Sequence, residues 1–534
     1  MARLPRRRAV TDMSQQCLIG VDFGTASARG VLIDAETGVQ VDSAVHRYRH
    51  GVLSQALPNG RRLPPGYALQ VPADYLEAAE HILTRLGQGR QVVSIGIDFT
   101  ASSPMPAFAD GRALQAALPD EPHAYVKLWK HTAAQSYADD VNRLGGRFLD
   151  NFGGRVSGEA MLPKAIELAR QSPATWSRCE RFIEAGDWLV WQLTGSECRS
   201  MDFACFKAQY TPDEGYPSHL LPGLSERLGP PTAVGTAAGE LSERWRSSTG
   251  IRGWPIVAVA SIDSHAVLPA VGAVRGGALV GALGTSAGFI AVDPTAHALP
   301  SGLESAAMGA ALPGLWSCEA GQAAFGDMLT WFAQTFPLAP DMQSNFASYD
   351  AAASAVRPGQ SGLVALDWFG GNRIPWRDSG LGGVLAGLRI GASAGEIYRS
   401  LVESLCFGAR LIVELIENGG VPVHEMILTS GLSRNALLVQ TMTDVLGRNV
   451  SIPKIENPTA VGAAIHGAVA AGLVPDYIAG SFRYGAGSKR VLEPNQAHRA
   501  IYDEIYGAYR ELVFDDSVRS VMRRLHGVSA RWQG

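Results

Sequence analysis

Short apolar runs alternate along the chain with longer segments in which apolar residues recur every three or four positions. The short runs are typical of buried strands, and the longer segments are typical of helices that cover a sheet. The runs that predict strands lie at residues 18–21, 31–33, 92–100, 253–263, 425–431 and 450–452. Strands that alternate with helices predict an α/β fold with mixed sheets covered by helices.

The clearest helix is predicted over residues 395–420. Ser393 and Glu396 can form a capping box at its start. Its apolar stripe consists of Ile397, Leu401, Leu405, Ile412 and Leu415. Two further helices are predicted to begin near Asn435 and after Pro458.

One pattern occurs twice, half a chain apart. Residues 21–34 read VDFGTASARGVLID, and residues 279–293 read LVGALGTSAGFIAVD. In both, an apolar strand leads to a Gly-Thr turn (Gly24-Thr25 and Gly284-Thr285), and a second apolar strand follows. Gly-Thr turns are common, so the match could be chance. The flanking runs match as well, which favours two related domains.

The two turns offer room for phosphate groups, because a glycine without a Cβ lets a phosphate approach backbone N–H groups closely. The first hairpin carries Asp22, whereas the second has Ala282 and Leu283 in the matching region. A carboxylate beside phosphates needs an intervening cation, and Mg²⁺ binds few carboxylates and bridges to phosphates. Asp22 is therefore a candidate Mg²⁺ ligand. The alternative is a strand-end aspartate that caps its own turn.

A second aspartate, Asp263, ends a predicted buried strand shortly before the second turn. Phosphoryl transfer needs in-line positioning, a cation on the phosphates and a base near the acceptor. Asp263 is a candidate base, and the alternative is an acid that caps the next helix. Farther on, Gly431 can approach a base or ribose and Asn435 offers amide groups, although such a strand–turn–helix is commonly only a connection.

Composition narrows the class of protein. The chain has 534 residues and a net charge of −4, without the basic surface that nucleic-acid binding requires. The uncharged stretch between Arg275 and Asp293 is too short and too rich in Gly, Ser and Thr for a membrane span. Six scattered cysteines predict reduced thiols and a cytoplasmic location. The arginine-rich residues 1–15 are interpreted as a disordered tail; targeting or an anionic contact is the alternative.

A P-loop, a GxGxxG after the first strand and an HExxH are all missing from the sequence, so the usual nucleotide folds fit poorly. Instead, residues 16 to about 510 resemble the FGGY carbohydrate kinases. The segments that carry the resemblance are, in family order, GVDFGTASAR, GIDFTASSPMP, VKLWKHTAA, FIEAGDWLVWQLTG, VASIDSHAVLPAVG, GALGTSAG, CEAGQAAFGDMLTWF, LDWFGGNRIP and SGLSRNALLVQTMTDVLGRNV. Residues 128–131, Glu319 and LDWFGGNR favour the ribulokinase branch over glycerol kinase and xylulokinase.

The resemblance implies an actin-like ATPase fold, with two ribonuclease H-like domains and a deep interdomain cleft that holds ATP and Mg²⁺. It implies an N-terminal domain at 16–270 that carries the sugar site and the first phosphate turn. The nucleotide domain then spans 271–480, and a C-terminal helical extension spans 481–534.

Site residues follow from the same resemblance. The nucleotide and metal residues are Asp22 for the metal, Gly24, Thr25, Gly284 and Thr285 for phosphates, and Gly431 and Asn435 for adenosine. The sugar residues are Ala101, Trp129, Lys207, Glu319 and Asp263, with Asp263 as the catalytic base. Without the resemblance, Lys207 would be interpreted as solvated surface and Trp129 as core.

Three departures from the family pattern stand out. Ser430-Gly431 replaces paired glycines at the adenosine turn, and Ser286-Ala287-Gly288 is smaller than expected at the second phosphate turn. The first two could loosen nucleotide binding modestly. Segment 302–318 lacks the Cys-Gly pair of close relatives, which leaves the choice of sugar open.

We therefore expect ATP-dependent phosphorylation of a ketopentose at its terminal hydroxyl, ribulose to ribulose 5-phosphate. We expect the protein to bind a small-molecule sugar and to bind neither nucleic acid nor a membrane. A homodimer is the simplest expected assembly. A kinase for xylulose or ribitol is one alternative, and an actin- or chaperone-like switching ATPase is another. Intact Asp22 and Asp263 speak against a catalytically dead sugar sensor.

Overall fold

The computed structural model describes residues 15–531. The predicted tail at residues 1–15 lies outside the described residues, apart from Gln15. All six cysteines are free thiols. Within the described part of the chain, every helix is too short or too polar to cross a membrane.

Twenty strands are present between these limits. In chain order they are β1 Gln16–Phe23, β2 Ser27–Asp34, β3 Gln40–Arg47, β4 Leu69–Gln70, β5 Gln91–Phe99, β6 Pro104–Ala107, β7 Val126–Lys127, β8 Arg181–Glu184, β9 Ala237–Glu240, β10 Ile256–Ala258, β11 Ser261–Ile262, β12 Ala278–Leu283, β13 Ala287–Asp293, β14 Ser305–Met308, β15 Trp316–Gln322, β16 Val364–Leu366, β17 Val384–Ala386, β18 Glu425–Thr429, β19 Val450–Pro453 and β20 Lys489–Leu492.

Eighteen α-helices lie within the same described range. In chain order they are α1 Pro72–Gly87, α2 Leu114–Ala117, α3 Gln135–Leu144, α4 Met161–Gln171, α5 Pro173–Arg178, α6 Ala185–Thr194, α7 Met201–Lys207, α8 Leu224–Leu228, α9 Glu243–Thr249, α10 Asp263–Val271, α11 Gly326–Thr335, α12 Met342–Ser354, α13 Ala394–Asn418, α14 Ala436–Leu446, α15 Pro458–Ala470, α16 Tyr477–Tyr484, α17 Arg499–Phe514 and α18 Asp516–Ala530. The predicted capping box at the start of α13 is present.

Two large sheets organise the molecule, and they share one topology. In the first sheet the order is β3-β2-β1-β5-β10-β9, with β11 also paired to β5. In the second sheet the order is β14-β15-β13-β12-β18-β19-β20. In each sheet, three strands pair antiparallel to one another, and two further strands then run parallel to the first of them. In chain order, these five strands of the first sheet are β1, β2, β3, β5 and β10. The corresponding strands of the second sheet are, in the same order, β12, β13, β15, β18 and β19. The predicted repeat is therefore a repeat of whole sheets.

The two hairpins also have the same hydrogen-bonding pattern at their turns. Each Gly-Thr turn is closed by a bond from its glycine N–H, from Gly24 to Ser27 O at 3.1 Å and from Gly284 to Ser286 O at 2.9 Å. Asp34, at the far end of the first hairpin, accepts backbone N–H groups of the following turn, and Asp293 does the same in the second. Repeat-related aspartates therefore cap repeat-related turns.

The strand predicted at residues 253–263 is interrupted in the structure. β10 aligns Val257 with Ile95 of β5, whereas β11 aligns Ser261 with Asp98, so one extra residue lies between the two pairings. Such a bulge bends a strand and redirects the side chains that follow it. The prediction of one continuous strand was wrong, and the bend places Asp263 at the first position of α10.

Helix α15 comes from the second half of the chain but packs against β1 and β5 of the first sheet and against α10. Glycines allow this contact. A Cβ on Gly20 would lie 1.8 Å from Ala460 O, and one on Gly462 would lie 1.6 Å from Ala266 O. α10 and α15 each follow the last parallel strand of their repeat, so the two repeats meet at these two helices. The predicted domain limits stay a prediction.

The C-terminal segment after α16 supplies β20, the edge strand of the second sheet, and then α17 and α18. Tyr502, Tyr506, Tyr509 and Val513 of α17 are buried in the core of the second half. The segment expected as a helical extension therefore also contributes a strand and part of that core.

Candidate active site

Two neighbouring strands of the first sheet each carry an aspartate one residue before their C-terminal end. In the parallel pairing of β1 with β5, Asp22 lies directly opposite Asp98. Asp98 is fully buried, and its side chain shares a hydrogen bond with that of Asp22. Burial first, and then the nearby charges of Asp22 and Asp263, raise the pKa of Asp98 well above its usual range. Burial also raises the pKa of Asp22, while hydrogen bonds from Asp98 and from the Thr459 hydroxyl at the start of α15 oppose the rise.

The third carboxylate is Asp263, at the N-terminus of α10. Its Oδ1 accepts the N–H of Ser264 at 2.7 Å, so it does cap its own helix, as the alternative interpretation has it. Burial and the charge of Asp22 nonetheless raise its pKa to about 7, against a smaller opposing effect of Lys207. A carboxylate with a pKa near the working pH can accept a proton and release it again. The capping contact and a proton-accepting role are therefore compatible.

An ion-pair network joins the two halves of the chain beside Asp263. Lys207 Nζ, at the end of α7, lies 2.8 Å from Glu319 Oε2 on β15. His265 Nε2 lies 3.1 Å from Glu319 Oε1, and its Nδ1 lies 2.7 Å from Asp202 Oδ1. Ser305 Oγ donates to Glu319 Oε2 at 2.8 Å. Lys207 is therefore a paired group in a largely buried network, and the solvated-surface interpretation does not hold.

Charges within this network stabilise one another. Burial alone would lower the pKa of His265, but Asp202 and Glu319 outweigh it and raise the pKa to about 9. Burial alone would raise the pKa of Glu319, but Lys207 and His265 hold it well below its usual range. At neutral pH the imidazolium and the carboxylate are both charged. Each charge has close partners of opposite sign or hydrogen-bond donors, which offset the cost of desolvation.

The first Gly-Thr turn is held from the sugar side of the predicted site. Trp129 Nε1 donates to Thr25 Oγ1 at 3.1 Å, and Gln70 Nε2 donates to Thr25 O at 2.7 Å. Trp129 is only partly buried, so its ring is not plain core. Ala101, also partly buried, follows β5 by two positions and starts the loop that leads to β6.

The second Gly-Thr turn and the predicted adenosine turn meet at the start of α11. The N–H groups of Phe325 and Asp327 donate to Thr285 O at 2.9 and 3.1 Å. A Cβ on Gly326 would lie 2.7 Å from Gly284 O and 3.0 Å from Leu432, the residue after Gly431. Asn435 caps α14 through Leu438 N and holds Asp350 at 2.8 Å through its amide.

The predicted residues therefore form two groups. Asp22, Thr25, Trp129, Lys207, Asp263 and Glu319 belong to the first group, and Gly284, Thr285, Gly431 and Asn435 belong to the second. Strand β15 links them, because it carries Glu319 and pairs Gln322 with Ala287 beside the second turn. Ala101 lies apart from these contacts.

The glycines of the turns leave space for phosphates. A Cβ on Gly24 would come no closer than 3.4 Å to any atom, a Cβ on Gly284 no closer than 3.5 Å, and Gly431 faces open space. Among the described residues, no cluster of three or more metal-binding side chains is present. A cation at Asp22 would therefore rely on this carboxylate, water and phosphate oxygens, which is how Mg²⁺ binds in many phosphate sites.

Three residues of the site were missed at the sequence level. Asp98 had a signal, because GIDFT at 96–100 repeats the pattern of GVDFG at 20–24. Asp202 and His265 had none, because their partners come from distant parts of the chain.

Comparison with known proteins places this geometry in a family. The model of the FGGY family of carbohydrate kinases, C-terminal domain, matches residues 279–471. The ribulokinase of Mycolicibacterium smegmatis is 36% identical over 525 residues, which cover 93% of each chain. The ribulokinase of Halalkalibacterium halodurans is 36% identical over 554 residues, which cover 97% of this chain and 98% of the relative.

Solved structures agree on the fold. The xylulose kinase of Rhodospirillum rubrum superposes with a TM-score of 0.81 at 21% identity, covering 95% of this chain and 99% of that one. The glycerol kinase of Plasmodium falciparum with ADP gives a TM-score of 0.77 at 14% identity, covering 94% and 99%. The two repeated sheets and these superpositions define the actin-like ATPase fold. The chain belongs to the FGGY family of carbohydrate kinases, and this membership implies ATP as co-substrate and a sugar as acceptor.

Proposed function

We propose that this carbohydrate kinase transfers the γ-phosphate of ATP to the terminal hydroxyl of ribulose, giving ribulose 5-phosphate. The observation that carries the proposal is full-length similarity to proteins named ribulokinase, at 36% identity. The xylulose kinases share the fold at 21–22% identity, which makes xylulose the weaker alternative.

In this proposal the Lys207–Glu319 pair and Asp263 form the acceptor side of the site. A lysine donates to hydroxyl oxygens and a carboxylate accepts from hydroxyl protons, so the pair suits a polyol. Asp263 takes the proton of the terminal hydroxyl as that oxygen attacks the γ-phosphorus. Trp129 and Ala101 form the walls of the sugar site.

The phosphate side consists of the two Gly-Thr turns, where Gly24 and Gly284 leave room for phosphates to approach the backbone. Asp22 holds Mg²⁺, which when bound neutralises phosphate charge. Gly431 and Asn435 contact adenosine. A homodimer and a cytoplasmic location stay predictions.

A coupled assay of ADP release tests the proposal. L-Ribulose, D-ribulose, L- and D-xylulose, ribitol and glycerol are compared with a control without sugar. We expect kcat/KM for one ribulose to exceed that for every other sugar at least tenfold. A higher kcat/KM for a xylulose or ribitol would contradict the substrate, and equal ADP release without sugar would favour a switching ATPase.

A second experiment tests the metal site. We expect Asp22→Asn to weaken Mg²⁺-dependent ADP binding, measured by calorimetry, at least tenfold. Asp42→Asn on the exposed edge strand β3 is the matched control. Unchanged ADP binding in Asp22→Asn would remove Asp22 from the metal site.

A further inference from the structure

Lys164 is completely buried on α4, and its ammonium group donates to two backbone carbonyls. Its Nζ lies 2.6 Å from Ser102 O and 2.9 Å from Leu128 O. These carbonyls belong to two separate segments, the loop after β5 and the segment after β7. Ser102 directly follows Ala101, and Leu128 directly precedes Trp129. The amino group of one buried lysine therefore joins the two segments that carry the proposed walls of the sugar site.

The loop after β5 needs such support. Ser102 has a φ of +62°, in the left-handed region that favours glycine. Non-glycine residues keep this conformation only where the surrounding structure enforces it. Ser102 Oγ donates to Glu159 O at 2.5 Å, and Ser103 N donates to Glu184 Oε2 at 2.7 Å. Three polar contacts, one of them from Lys164, hold the loop in a strained conformation.

A stabilising role alone does not account for the lysine. Burial lowers the pKa of Lys164, and the charge of Glu184 opposes the shift. Desolvation of a buried charge is costly. A protein in which apolar side chains of similar volume replace a buried ion pair is often as stable as the original, or more stable. What an apolar side chain cannot provide is a directed bond to two carbonyl oxygens.

We propose, on the basis of the proposed function, that Lys164 is a positioning residue that fixes the two segments that carry Ala101 and Trp129 relative to each other. The effect extends to the phosphate side, because Trp129 Nε1 donates to Thr25 of the first turn. Lys164 thereby sets the geometry of the acceptor relative to the phosphates without touching either.

The chain offers a matched control in Lys127. This lysine is equally buried, but its ammonium bonds to Glu167 Oε2 at 2.6 Å and His123 Nδ1 at 2.9 Å, both side chains. Lys164→Met and Lys127→Met each remove one buried ammonium group from the same half of the chain. Only the first releases the carbonyls of Ser102 and Leu128.

The test combines calorimetric titration of ribulose without ATP, steady-state kinetics and thermal melting. We expect Lys164→Met to raise Kd and KM for ribulose at least tenfold while KM for ATP changes less than twofold. Lys127→Met should lower the melting temperature with KM for ribulose within twofold of wild type. Unchanged KM for ribulose in Lys164→Met, or an equal rise in Lys127→Met, would overturn the inference.

A milder variant covers the case in which Lys164→Met does not fold. Ser102→Gly keeps the left-handed backbone but deletes the hydroxyl contact to Glu159 and loosens the loop. We expect at least a threefold rise in KM for ribulose, and an unchanged KM would overturn the inference. Wild-type enzyme without ribulose-dependent turnover would instead overturn the proposed function, and the inference with it.

Discussion

Lys207 and Glu319 lie 112 residues apart in the chain, and their ion pair at 2.8 Å joins α7 of the first half to β15 of the second. The pair is reinforced by His265, which bonds to the same carboxylate at 3.1 Å. The proposed acceptor side of the site therefore contains residues from both halves of the chain.

Removing either partner of this pair should weaken sugar binding. Hydrogen bonds to charged groups contribute roughly 1.5–3 kcal/mol, so Lys207→Met and Glu319→Gln should raise KM for ribulose by about 10- to 100-fold. Glu319→Gln should also lower the melting temperature more than Lys207→Met, because it removes the carboxylate from both Lys207 and His265. Steady-state kinetics and melting curves measure both effects.

The control for this pair is Lys489→Met, which breaks the more exposed pair of Lys489 with Glu425 at 2.9 Å. Exposed pairs contribute little, so KM and melting temperature should stay close to wild type. A Lys207→Met enzyme with the kinetics of Lys489→Met would contradict the sugar-binding role.

Asp263 should give kcat/KM an acidic limb near pH 7. The carboxyl must lose its proton before it can accept one from the sugar, and its pKa is raised to about 7. Asp263→Asn should lower kcat by about 10²–10⁴-fold, with KM for ATP unchanged. A pH profile flat between pH 5 and 8, or turnover near wild type in Asp263→Asn, would contradict the base assignment.

Asp263 should also make the stability of the folded chain depend on pH. Its pKa is higher in the folded chain than the usual 3.8, so the folded state loses stability as pH rises from about 4 to about 7. Asp263→Asn removes this loss, and the variant should melt above wild type at pH 8 but not near pH 4. Glu243→Gln, in the exposed first turn of α9, should show no such pH-dependent gain.

Replacing Ser430 with glycine should increase the stability of the fold. Ser430 is the first residue of the predicted adenosine turn and has φ +71° and ψ −173°, a region that glycine occupies almost alone. Ser430→Gly should therefore stabilise the fold by about 1 kcal/mol, read as a higher melting temperature. Ser430→Ala keeps the strained backbone and should bring no gain; an equal gain in both variants would contradict the backbone explanation.

Gly462 should tolerate no side chain. A Cβ would lie 1.6 Å from Ala266 O, a backbone atom inside the contact of α15 with α10. Overpacking of this kind costs roughly 1–3 kcal/mol or more, so Gly462→Ala should melt well below wild type. Gly507→Ala on α17 meets nothing within 4 Å and should be neutral or stabilising, since alanine favours a helix. Equal melting of the two variants would contradict the close contact.

Local signals predicted the hairpins and the capping box of α13, because each depends on neighbouring residues. The bulge before Asp263 was missed, because it depends on the register between β11 and β5. Asp202 and His265 were missed for a related reason, since their roles follow from contacts across 63 residues of sequence. Sequence motifs identified the candidate residues, whereas the hydrogen bonds and ion pairs between them became visible only in the folded structure.

Helix α15 has a consequence for the order of events during synthesis. Residues 458–470 cover β1 and β5, two of the earliest strands to leave the ribosome. Until those late residues emerge, the glycine-lined face of the first sheet has no covering helix, and its apolar surface stays open to solvent or to a chaperone. The first half of the nascent chain can therefore complete its fold only after most of the polypeptide has been translated.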